Sequence, residues 1–137
     1  MNPYQMFKTN KSKETEGIVL DYGSFQIKVA RAGGSNKRFN QAVAEKLGPQ
    51  QKALQNGTLP EERIRKIMIE IHVDHVVLGW EGVTDADGNP LEFTRENAIQ
   101  LFTDLPELFA DVVEQAAKFS NFRQEVIHET AKNSVDS

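Results

Sequence analysis

Trp80-Glu81-Gly82-Val83-Thr84-Asp85-Ala86-Asp87-Gly88-Asn89-Pro90-Leu91-Glu92-Phe93 is the stretch around which the fold has to be built. Asp-Gly followed by Asn-Pro reads as a tight connection, in which Gly88 supplies a positive φ and Asp87 bonds its own backbone. Trp80, the only tryptophan, enters this turn from the exit of a helix. Trp80 and Phe93 flank the connection, and rings in that position usually close the core around it.

Upstream, Ile64, Ile67, Met68, Ile71, His75 and Leu78 recur at helical spacing, which predicts a long helix from about Pro60 to Leu78. Pro60 suits its first turn, and Glu61-Glu62 suits the positive end of its dipole. Val73, Val76 and Val77 are β-branched, so a strand from Val76 competes for the last turn. Before Asn56-Gly57, a turn dipeptide, a short helical turn falls around Lys52 to Leu54. An earlier helix carries Phe39, Ala42, Val43 and Leu47, is capped by Ser35 or Asn36 and stops at Gly48-Pro49. Ile18 and Leu20, then Phe25, Ile27 and Val29, alternate with polar positions across Asp21-Tyr22-Gly23-Ser24, which predicts a β-hairpin. A lone hairpin is marginal in water, so its apolar face must lie on helices or on another sheet. Residues 1–16 are polar and without period, and are expected to form a flexible N-terminal arm.

Downstream, Phe93-Thr94-Arg95-Glu96-Asn97 supplies a hydrophobic residue and a threonine cap for a helix bearing Ala98, Leu101 and Phe102, ending near Thr103. Asp104 is expected to cap the next helix, with Pro106 in its first turn and Leu108, Phe109, Val112, Val113, Ala116 and Phe119 as its apolar stripe. Residues 124–137 read as a polar C-terminal tail. The fold class that follows is α+β and predominantly helical, with an N-terminal β-hairpin packed on about four to five helices in a single globular domain, residues 17–123.

The composition agrees with that picture. A chain of 137 residues with 39% hydrophobic and 26% charged residues is one domain of ordinary globular character. There is no cysteine, so disulfides, thiolate metal sites and a thiol nucleophile are excluded, and a reducing cytoplasm is the expected compartment. The N-terminus lacks the apolar core of a signal peptide, and no run approaches the roughly 20 apolar residues of a membrane span. The net charge of -4 conceals an asymmetry: residues 1–80 carry 12 basic and 8 acidic groups (+4), and residues 81–137 carry 4 basic and 12 acidic (-8). The acidic half disfavours nucleic acid, whose phosphates require a positive field. It favours solubility, or the steering of a basic partner.

No catalytic constellation emerges. His72 and His75 lie three apart near Glu70 and Asp74, but a zinc helix needs histidines four apart with a glutamate between them, so surface or half-buried histidines are expected. Asp85-Ala86-Asp87-Gly88 brings its glycine too early for a calcium loop. Gly33-Gly34-Ser35 does not have the lysine and hydroxyl of a phosphate loop in their required places and reads as a helix entry. Neither metal nor cofactor is implied, and the chain is expected not to be an enzyme. Leu101, Phe102, Leu105, Leu108 and Phe109 are instead denser in large apolar groups than one shallow face buries, so some are expected to form an exposed groove for a partner helix. With Trp80 and Phe93 they make up the candidate partner-binding set.

The order of these elements resembles the tail assembly chaperones of long-tailed, siphovirus-type bacteriophages. The resemblance rests on the hairpin from Gly17 to Ala30, then Phe39-Asn40-Gln41-Ala42, then a long helix running into Val76-Val77-Leu78-Gly79-Trp80-Glu81-Gly82-Val83 and Asp87-Gly88-Asn89-Pro90. Phe93-Thr94-Arg95-Glu96-Asn97-Ala98 and the leucine- and phenylalanine-rich helices from Leu101 to Phe122 complete it. It implies a noncatalytic assembly factor of the host cell cytoplasm, absent from the mature virion, which coats the tape measure protein and keeps it soluble until tail tube subunits polymerise. It further implies a longer product, made by ribosomal frameshifting, that recruits the tail tube protein. Ala131-Lys132-Asn133 is compatible with a slippery codon run at that point. A homo-oligomer is compatible with the resemblance, and nucleic acid and membrane are not among the implied partners. The competing readings are a structural tail subunit or a small helical adaptor and, less favoured, a metal-dependent enzyme using His72 and His75.

Overall fold

The alternating segment after Gly17 forms strands β1, Ile18–Asp21, and β2, Gln26–Val29, paired antiparallel with Leu20 opposite Ile27. That register sends Leu20, Ile27 and Val29 to one buried face, as alternation requires. The Asp21 carboxylate closes the hairpin by accepting from the Gly23 amide at 2.9 Å. The computed structural model describes residues 2–123, so the expected polar tail and the Ala131-Lys132-Asn133 run lie outside the described residues.

A third strand, β3, Val77–Glu81, pairs antiparallel with the other edge of β2, giving the order β1-β2-β3 with Ile27 opposite Trp80. The long helix expected to reach Leu78 therefore stops earlier. Helix α5 spans Glu61–His75, and Trp80 stands on a strand rather than at a helix exit. The open edge of β2 decides the competition that the valines left unresolved. An extended chain from Val77 finds ladder partners there, and the Val76 carbonyl accepts from the Ala30 amide at 2.7 Å.

Helix α3, Lys37–Leu47, begins at Asn36, whose side-chain oxygen accepts from the Phe39 amide at 3.2 Å. The same side chain donates to the carbonyls of Arg31 and His75, at 2.8 and 3.0 Å, so one cap ties the end of β2 and the end of α5 to the start of α3. A 3₁₀ turn at Gly48–Gln50 leads into α4, Gln51–Gln55, where the short helical turn is expected. Helix α5 packs between α3 on one side and α6, Arg95–Asp104, on the other. Its buried residues are Ile69, Ile71, His72 and Val73, a broader and rotated face compared with the single stripe expected, because neighbours cover it from two directions.

Thr94 caps α6 through the Asn97 amide at 3.1 Å, as its position predicts. Asp104 does not cap α7, Pro106–Ala117; its carboxylate instead accepts from Gln100, at 2.8 Å, back along α6. Pro106 excludes its predecessor from helical geometry, so Leu105 becomes the one-residue bend, at φ -121° and ψ 74°. Phe119 leaves the expected α7 stripe for a short helix α8, Phe119–Phe122.

The first sixteen residues, expected as an arm, form α1, Pro3–Phe7, and α2, Lys11–Glu16. Polar contacts that leave no apolar period in the sequence hold this segment. The Asn10 amide donates to the Phe122 carbonyl at 2.8 Å, Thr9 bridges to Arg123, and buried Glu14 pairs with Arg31 at 2.6 Å. The Ser35 hydroxyl also donates to Glu14. Burial alone would raise the Glu14 pKa, but hydrogen bonds from Ser35, Arg31 and Thr9 outweigh it and hold the carboxyl below the usual range. The glycine-rich helix entry thus meets a carboxylate of its own chain. The main core, Leu20, Ile27, Val29, Ile69, Val73, Val76, Val77, Ala98, Phe102, Phe109, Val112 and Ala116, lies between the sheet and helices α5 to α7.

Candidate partner surface

Helices α6 and α7 divide the candidate residues by their own periodicity. Ala98 and Phe102, four apart on α6, and Phe109, Val112 and Ala116 on α7 turn inward and are buried. Phe102 and Phe109 meet at 5.6 Å between ring centroids, and so belong to the core rather than to the groove in which they were expected. Their place in the stripe follows from α5 packing on the pair, which closes that side.

Leu105 remains on the outer side of the bend, with Leu101 and Leu108 half-buried beside it. They line a cleft of about 350 Å³ together with Phe25 from the hairpin and Val83 from the chain after β3. Leu105 is 48% exposed at its lip. Leu101 and Leu105 also border a second depression of about 280 Å³, shared with Leu91, Asp85 and Asp104, so the apolar ridge stands in acidic surroundings. Gly82, at φ 76°, lets the chain leave β3 close to the hairpin; a Cβ there would lie 2.8 Å from the Ser24 carbonyl oxygen. Phe25 and Val83 escaped the sequence reading because they meet the leucines only through this tertiary approach.

Trp80 and Phe93 are half-buried and stack edge to face, with centroids 4.9 Å apart and planes at 80°. The indole Nε1 donates to the Leu91 carbonyl at 2.8 Å, which pins the outgoing loop to β3. In the turn itself the Asp85 carboxylate, rather than that of Asp87, accepts from the amides of Asp87 and Asn89, both at 2.9 Å. Gly88 takes the positive φ, at 84°.

His72 departs from expectation. It is 1% exposed, wedged between the rings of Phe39 and Phe109 at 5.2 and 5.4 Å. Nδ1 lies 2.8 Å from the Met68 carbonyl, which makes it the donor, and Nε2 is buried with no partner. Burial lowers the imidazole pKa, and the Met68 hydrogen bond only partly opposes it. Asp74 turns elsewhere, to a two-pronged pair with Arg95 at 2.8 and 3.2 Å that lowers its pKa. His72 and Asp74 therefore share no site, and no group of three histidine, aspartate or glutamate side chains among the described residues is placed to hold a metal ion. Among the described residues no helix is long and apolar enough to cross a membrane.

The arrangement defines an α+β domain, a three-stranded antiparallel sheet with helices, that carries an apolar cleft on an acidic face. The model of a family described as YdaY prophage protein matches residues 34–133, from the entry of α3 through every later element of the fold. The chain belongs to that prophage family. No curated protein and no solved structure matches it.

Proposed function

We propose that this prophage protein is a noncatalytic tail assembly chaperone that binds the tape measure protein, keeps it soluble and helps recruit tail tube subunits. The observation that carries the reading is the Leu101–Leu105–Leu108 cleft, an open apolar surface on an acidic domain of a phage family. A long apolar helical client exposes surface that aggregates, and a small acidic domain with a matching cleft masks it reversibly. On this reading the protein acts in the host cytoplasm and is absent from the finished virion. A frameshift-extended form would bring in the tail tube protein.

The test is co-expression with the long helical protein encoded just downstream, affinity capture, and light scattering of the product. A soluble complex with several copies of this chain per client is the expected result. Recovery of the chain from purified particles, with no client complex, would replace the chaperone by a structural tail subunit.

A further inference from the structure

Helix α1 is well ended but poorly covered. Asn2 and Gln5 form a reciprocal capping box, at 2.9 and 3.1 Å, and Pro3 starts the first turn. Yet none of its residues is buried: Tyr4 is 83%, Phe7 67% and Met6 41% exposed. Tyr4 and Phe7, three apart, share one face of the helix. A capped turn that presents two aromatic rings to water is a preordered ligand, because little further ordering is needed when it binds.

The cleft beside α1, about 930 Å³, is lined by Phe7 itself with Lys8, Glu14, Arg31, Ser35 and Phe119, and leaves Tyr4 83% exposed. The Phe7 ring lies 5.7 Å from that of Phe119, which stations α1 beyond the C-terminal end of α7. The Leu105 and Leu108 cleft lies at the other end of α7, twelve residues away. That separation is roughly 18 Å of helix. Charge points the same way. Residues 2–10 carry Lys8 and no acidic group, whereas residues 81–111 carry eight acidic groups against Arg95 alone.

We propose that α1 of one copy docks, through Tyr4 and Phe7, into the Leu101–Leu105–Leu108 cleft of a second copy. The occupant is a second copy because an aromatic helix followed by Lys8, on a segment without acidic groups, complements an apolar cleft in acidic surroundings, and both are present on every chain. Since the two surfaces sit at opposite ends of α7, one such contact leaves a helix and a cleft on the pair, which close on each other in an antiparallel pair or take up further copies. The inference deepens the chaperone reading and rests on it in one respect: the cleft is the one assigned to the client, so client binding displaces the neighbouring copy.

Light scattering of the whole chain, from dilute solution to roughly 1 mM at low salt, tests the contact. The average mass should rise with concentration above the 15.4 kDa of one chain, and added salt should suppress the rise. A Tyr4→Glu, Phe7→Glu double variant and a Leu105→Lys variant, each checked for folding by circular dichroism, should each remain at the mass of one chain. Mixed, they should reach twice that mass and no more, since one retains the cleft and the other the helix. A wild-type chain that stays monomeric, variants that associate as the wild type does, or a mixture that stays monomeric would each overturn the proposal. Adding the tape measure protein should dissolve the self-association. Loss of client capture with self-association intact would sink the chaperone reading alone, and a captured client with a monomeric wild type would sink this contact alone.

Discussion

The buried imidazole of His72 makes a specific demand on stability as pH falls. In the unfolded chain the ring takes up a proton near the ordinary histidine value of about 6.5. In the fold, burial pushes its pKa down, with the Met68 carbonyl opposing. The unfolded state therefore binds more protons in this range, and stability falls as pH falls. The contribution is whole above the unfolded pKa and is lost as pH drops toward the folded one. If the native ring stays neutral, the loss between about pH 7.5 and about pH 5.5 reaches an upper limit of about 1.4 kcal/mol. Glu14 and Asp74, whose pKa values are lowered, work in a separate window, losing their stabilisation mainly from about pH 5 downward. Urea denaturation followed by circular dichroism across this range, on the wild type and on His72→Leu, isolates the effect. The variant sacrifices the Met68 hydrogen bond, so the comparison is between pH slopes and not between absolute stabilities. The wild type should lose stability more steeply. Parallel slopes would refute the reasoning, because they would mean that Nε2 accepts a proton as readily in the fold as outside it.

The two faces of the α6–α7 bend should respond differently to truncation. Phe102→Ala removes a fully buried ring and should cost about 3–5 kcal/mol, whereas Leu105→Ala, half exposed, should stay within roughly 1 kcal/mol; comparable denaturation midpoints for the two would contradict the assignment of core and surface. Asn36→Ala deletes a cap together with two bonds to carbonyls of β2's exit and of α5, and should cost about 1–2 kcal/mol, read from the shift of the urea midpoint.

Most of the architecture was legible because its signals are local. The hairpin alternation, the Asn36 and Thr94 caps, and the turn glycine at position 88 each act within a few residues, and each appears where its chemistry places it. What escaped the sequence depends on partners far along the chain. Val76 to Glu81 could join a helix or a strand, and only the vacant edge of β2, some fifty residues earlier, makes the strand the better choice. The apolar groove was read as one stripe because spacing cannot say which helix covers it. With α5 in place, Phe102 and Phe109 go inward, Leu105 stays out and Leu101 and Leu108 are half-buried along the cleft. The Pro106 signal was present, though its consequence was assigned to the wrong residue. A proline at the first helical position leaves Leu105 as the bend, and a bend residue between two packed helices points to solvent. His72 was legible only as a histidine, since its burial is set by Phe39 and Phe109 on two other helices.

The bridge between Thr9 and Arg123, with the Asn10 amide on the Phe122 carbonyl, makes the described fold nearly a closed circuit of chain. Whatever follows Arg123 sets out from beside α1, at the far end of α7 from the leucine cleft. The two ends of the described fold should therefore loosen together, since whatever frees α8 also frees the segment that carries α1.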